Sequence, residues 1–219
     1  MAHLDLEEQE QLDQFKHFWN QYGNLISWVL IAVLSGYAAW NGWQYWQDRQ
    51  ARQATVLYEE VERIAGGGDA AALDRALADM KSKFAGTAQA QQAALLTAAV
   101  HASAGRHDAA RAALQWVVEQ GGDEGYKALA RLRLAGLLLD AKSYDEAMKL
   151  LSASFPDAFA PMAADRRGDV YLAQGKKAEA GAEYRKAWQG LDETSTYRKV
   201  VDVKLAALGL TAAPAGEKK

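Results

Sequence analysis

An uninterrupted apolar run from Leu25 to Trp46 constrains this chain more than any other feature. It holds no charged residue, and its polar side chains are limited to Ser27, Ser35, Asn41 and Gln44. Wound as a helix at about 1.5 Å per residue it reaches roughly 33 Å, close to the ~30 Å hydrocarbon core of a bilayer. A core helix of a soluble protein would show a polar stripe or be shorter. The run therefore predicts a single transmembrane helix over 24–46, with the lipid bilayer as its surroundings.

Aromatic residues mark both ends of the run. Trp19, Tyr22 and Trp28 stand on the amino side, and Trp40, Trp43, Tyr45 and Trp46 on the carboxyl side. This is the pattern of rings resting at headgroup depth. A cleaved secretory signal would need a short basic leader ahead of Gly36-Tyr37-Ala38. Residues 1–23 are instead acidic, with Asp5, Glu7, Glu8, Glu10 and Asp13 against Lys16. A retained anchor behind a short tail is the expectation. Ala32, Ser35, Gly36 and Ala39 share one helical face, a smooth strip on which a second membrane helix can pack closely.

Charge does not orient the anchor well. Lys16 precedes it and Arg49 and Arg52 follow, so the positive-inside rule leans weakly toward a cytoplasmic carboxyl side. There is no cysteine to indicate a compartment. Of 25 basic and 28 acidic residues, one and five precede Leu25, leaving 24 and 23, a net charge of +1. That balance offers no basic face for phosphates, and no nucleic acid is expected as a partner.

Beyond Trp46 the chain is rich in alanine and shows no alternation of β-branched residues, so an all-α fold is expected. Ala51, Ala54, Leu57, Tyr58, Val61 and Ile64 form an apolar stripe over Gln47 to Ala65, which continues the membrane helix outward. Gly66-Gly67-Gly68 breaks it, and Asp69 is placed to cap a helix reaching about Phe84. The glycines lack the following Lys-Ser/Thr of a phosphate cradle.

Three segments then superimpose: Ala94 to Val117, Arg131 to Ser154, and Ala164 to Ala187. Aligning Ala110, Ala147 and Ala180 gives offsets of 37 and 33 residues, near the 34 of helix-turn-helix repeats. A small residue recurs twelve positions earlier, as Ala98, Ala135 and Gly168, and a larger one four positions later, as Leu114, Leu151 and Tyr184. This is the packing logic of tetratricopeptide (TPR) repeats, although Arg131 and Arg167 occupy apolar positions and the closing proline is missing. The fold class expected is all-α: one N-terminal transmembrane helix followed by a TPR-like α-solenoid of helix pairs over 47–211. A polar tail, 212–219, is expected to be disordered.

Such a stack leaves an extended concave face built mostly from first helices. Projection of the repeat positions puts Gln92, Leu95 and Ala99, then Leu129, Leu132, Gly136 and Leu139, then Met162, Asp165, Asp169 and Leu172 toward it. The face suits a partner or an extended polypeptide. Chemistry is sparse elsewhere. His3, His17, His101 and His107 do not pair at metal-ligand spacing, so no metal and no cofactor is expected. Asp165 and Asp169 lie one helical turn apart, but Arg166 and Arg167 beside them favour salt bridging over catalysis. No enzyme is predicted.

The ordered motifs are Lys16-x-Phe18 and Gly23 before the run, Gly42-Trp43-x-Tyr45-Trp46 at its end, Leu132-Arg133-Leu134-Ala135, and Ala164-Asp165-x-Arg167-Gly168-Asp169 followed by Gly175. With them the chain resembles the YfgM family, ancillary subunits of the bacterial SecYEG translocon, over nearly its whole length. The resemblance implies a single-pass inner-membrane protein with a cytoplasmic amino tail and a periplasmic TPR-like domain. It also implies a non-catalytic role beside the SecYEG translocon, with a PpiD-like periplasmic chaperone and emerging client polypeptides as partners. A regulatory scaffold that holds one signalling protein, or organises an envelope assembly, is the alternative that the same concave face allows.

Overall fold

The computed structural model describes residues 6–211, with side chains from residue 11 onward. The expected tail 212–219 and the first five residues lie outside that range. Every described element is an α-helix: α1 (Leu6–Gly67), α2 (Ala70–Phe84), α3 (Ala88–Ser103), α4 (His107–Gln120), α5 (Glu124–Asp140), α6 (Tyr144–Leu151), α7 (Ala160–Ala173), α8 (Lys177–Gly190) and α9 (Thr196–Ala207). The chain divides into two compact units, Met1–Gln50 and Ala51–Lys219.

In the first unit the apolar side chains of α1 stand free of protein. Leu25 is 62% exposed, Trp28 66% and Tyr37 68%. A helix from a soluble core would hide these groups. Helix α1 is long and apolar enough to cross a membrane, and only 6% of its apolar stretch is buried, whereas Ala54 and Val61 farther along it are fully buried in the second unit. Asn41 donates its Nδ2 to the Tyr37 carbonyl at 2.9 Å, which satisfies that amide along its own helix.

In the second unit the pairs are α3 with α4, α5 with α6, and α7 with α8, and α9 packs on α8. First helices begin with side-chain caps. Thr87 accepts from the Ala90 N–H, Asp123 from the Tyr126 N–H and Ser195 from the Tyr197 N–H, while α7 starts with Pro161 in its first turn. Asp69 caps α2 through the Ala72 N–H at 3.0 Å, as the sequence suggests.

Each first helix closes with the same turn. Arg106 N–H donates to the His101 carbonyl and Gly105 N–H to Ala102, and the pattern repeats at Ser143–Leu138 with Lys142–Leu139, and at Lys176–Tyr171 with Gly175–Leu172. These are Schellman turns, whose pivot residue is left-handed. The pivots are Gly105 at φ 73°, Lys142 at φ 60° and Gly175 at φ 77°. Lys142 carries a Cβ where its counterparts carry none, so Lys142→Gly is expected to raise stability by about 1 kcal/mol, seen as a higher urea midpoint. Gly105→Ala is expected to lower it by a similar amount.

The repeat register read from the sequence is the packing register. Ala110, Ala147 and Ala180 are fully buried, as are Leu151 and Tyr184, with Ala98, Ala135 and Leu114 at most 2% exposed. A Cβ added at Gly168 would overlap the Tyr184 ring, with Cδ1 at 2.5 Å and Cζ at 3.1 Å. The two arginines that depart from the repeat pattern serve the short helix α6. Arg167 donates to the Leu151 carbonyl at 2.9 Å, and Arg131 to the Ser154 carbonyl just beyond at 3.2 Å. Cations there suit the negative end of the helix.

Candidate partner-binding face

The residues projected to the concave face fall into two groups. Ala99 and Leu172 are exposed, Gly136 faces open space, and Gln92, Leu129, Leu139, Met162 and Asp169 are half-buried. Leu95, Leu132 and Asp165 are buried and are corrected from surface to interior. Each of these three stands ten residues before the pivot of its own turn. At that position a first helix meets the next first helix rather than solvent. The Arg133 guanidinium on α5 donates to the Leu95 carbonyl at 3.2 Å, and on α7 the Asp165 carboxylate is taken up by α9. Gln92 is also engaged across this seam, its Nε2 donating to the Tyr126 hydroxyl at 2.5 Å.

The α7–α9 seam holds a dense polar cluster. Lys204 Nζ lies 2.8 and 2.7 Å from the two oxygens of Asp165 and 2.7 Å from Asp169 Oδ1. Tyr197 donates to Asp165 Oδ2 at 2.6 Å and Tyr184 to Asp169 Oδ1 at 2.8 Å. The expected pairing with neighbouring arginines is therefore partial. Arg166 reaches Asp169 at 3.4 Å, whereas Arg167 turns to Glu183 at 2.7 Å. Held in this way, the two carboxylates tie α7 to α9.

Burial, and then the hydrogen bonds to Asp169 and Asp165, push the Tyr184 and Tyr197 phenols above their usual range. Burial opposes ionisation of Glu183, but hydrogen bonds from Lys186 and Arg167 together outweigh it and hold its carboxyl below the usual range. Unfolded tyrosine ionises near pH 10 while these two stay protonated in the fold, so their contribution is complete below about pH 10 and is lost as pH rises beyond it. The thermal midpoint of the chain is expected to fall between pH 9 and 11, and the fall to be shallower in Tyr184→Phe/Tyr197→Phe, as a pH series of melting curves would read.

Sequence reasoning missed α9, Tyr197 and Lys204. A signal existed: Gly209, left-handed at φ 72°, ends α9 with the same turn, Leu210 N–H donating to Leu205 and Gly209 N–H to Ala206, and it follows Gly175 by one repeat length. By that register α9 occupies the position of a first helix, packed on α8. Its residue ten before the pivot is Lys199, which is exposed, whereas its three counterparts are buried. The membrane strip is bare as well: Ala32, Ser35, Gly36 and Ala39 are all exposed.

Helix pairs in this register, joined by matching turns and borne on a long apolar helix, define a membrane-anchored protein of tetratricopeptide architecture. Residues 16–210 match the family described as a tetratricopeptide repeat-like domain. A protein of Neisseria gonorrhoeae named ancillary SecYEG translocon subunit is 34% identical over 208 residues, covering 94% of this chain and 99% of its own. An Escherichia coli protein of the same name is 27% identical over 209 residues, covering 93% and 97%. The chain belongs to this family, the YfgM-type ancillary translocon subunits.

Proposed function

We propose that this chain is a non-catalytic adaptor of the bacterial inner membrane. Its helix docks at the SecYEG translocon, and its repeat domain engages a periplasmic chaperone of the PpiD kind or the polypeptide emerging beside it. The observation that carries this is the end-to-end match to proteins named as translocon subunits, spanning both the apolar helix and the repeats. Residues 24–46 form the span, 1–23 lie in the cytoplasm, and 47–211 form the periplasmic domain. The bare strip Ala32, Ser35, Gly36 and Ala39 gives the span a place to meet another membrane helix. Ala99, Gly136 and Leu172, with half-buried Leu129, Leu139 and Met162, give the domain an apolar surface for a partner.

Co-isolation of the full chain with SecYEG after mild detergent extraction tests the docking. Recovery with the translocon is expected, and its absence under crosslinking would end the proposal. Photo-crosslinkers at Ala99 and Leu172 are expected to capture the chaperone or clients. Capture of a single signalling protein would favour the regulatory scaffold. A topology reporter fused after Lys219 is expected to report the periplasm.

A further inference from the structure

The part of α1 that precedes the span carries an apolar face whose far end the bilayer does not reach. Leu12 is 44% exposed, Phe15 63%, Phe18 49%, Trp19 50% and Tyr22 42%. They recur at three- and four-residue spacing, and Phe15 stacks along Trp19 while Phe18 meets Tyr22. At about 1.5 Å per residue, Phe15 lies roughly 15 Å and Leu12 roughly 20 Å beyond Leu25 along the helix. The headgroup layer on one side of a bilayer is only about 6 Å deep. Trp19 and Tyr22 rest near that layer, whereas Phe15 and Leu12 extend past it into water.

Charge decides what covers them. The residues before Leu25 hold five acids, Asp5, Glu7, Glu8, Glu10 and Asp13, against Lys16, which is itself paired with Asp13 at 3.2 Å. An anionic cytoplasmic leaflet repels such a segment. A second copy would bring ten acids together. A basic protein surface attracts it, and cytoplasmic loops of multi-spanning membrane proteins are enriched in Lys and Arg. We propose that the helix 11–22 is a second docking element, which lays Leu12, Phe15 and Trp19 against a Lys/Arg-rich cytoplasmic loop of the translocon. This rests on the translocon docking and topology given above.

The test uses the full chain with purified SecYEG in nanodiscs, together with a Leu12→Ser/Phe15→Ser variant and an Asp13→Lys variant. Neither variant touches a packed interior, and membrane fractionation confirms their insertion. Apparent affinity is expected to fall about tenfold or more for Leu12→Ser/Phe15→Ser. For Asp13→Lys it is expected to fall several-fold, with a weaker dependence on salt. A photo-crosslinker at Phe15 is expected to map to a basic loop. Wild-type affinity in both variants, or crosslinks from Phe15 to lipid or to a second copy, would overturn this element while leaving the docking intact. No binding by the wild type would overturn both.

Discussion

Replacing Lys204 by methionine is expected to loosen α9 from α7 by about 3–5 kcal/mol. The ammonium is the counter-charge of two carboxylates one helical turn apart, and Asp165 is only 1% exposed. Removing it leaves two acids facing each other with only phenol hydroxyls and Arg166 as company. Hydrogen exchange on the full chain in detergent is the measurement. Amide protection across α9 should drop about a hundredfold or more, while α3 and α4 keep theirs. Adding Asp165→Asn should recover part of the loss, because it removes the uncompensated charge. Unchanged protection in α9 would show that the seam is held by Val201 and Leu205 alone.

The second large effect separates two glycines in first helices. Gly168→Ala is expected to destabilise by about 1–2 kcal/mol net. Forcing a methyl into the Tyr184 ring costs about 1–3 kcal/mol, against a gain of up to about 1 kcal/mol in helix propensity. Gly136→Ala meets no neighbour and is expected to stabilise by up to about 1 kcal/mol. Urea denaturation of both variants reads the opposite signs. Tyr184→Leu in the Gly168→Ala background should restore much of the loss, since it vacates the space the methyl needs.

That contrast shows what the chain discloses before it is folded. Two repeats pair alanine with leucine, Ala98 with Leu114 and Ala135 with Leu151, and the third pairs Gly168 with Tyr184. A larger ring demands a smaller partner, and the trade is legible from alignment alone. The membrane helix is legible for a similar reason, since length and lack of charge suffice. Leu95, Leu132 and Asp165 are harder. Concave and seam positions lie within one turn on the same helix, and only the closeness of successive first helices decides which is which. Lys204 is harder still, because its partners lie 35 and 39 residues away and no local pattern links them. The pairing becomes visible only once Gly209 is recognised as a turn pivot and α9 as a helix in the first-helix register.

The eight-residue helix α6 carries a consequence for the order in which the domain is made. Its last carbonyl is capped by Arg167, which belongs to the following pair. A chain that folds as it emerges, amino end first, can close the last turns of α3, α4 and α5 with backbone bonds among their own and adjoining residues. Helix α6 also closes its own last turn, Ser152 N–H donating to the Met148 carbonyl, but its Leu151 carbonyl gains the Arg167 guanidinium only when α7 has arrived and docked. The middle of the domain thus receives one of its clasps from its far end, and a chain halted before Arg167 would leave the Leu151 carbonyl without that guanidinium.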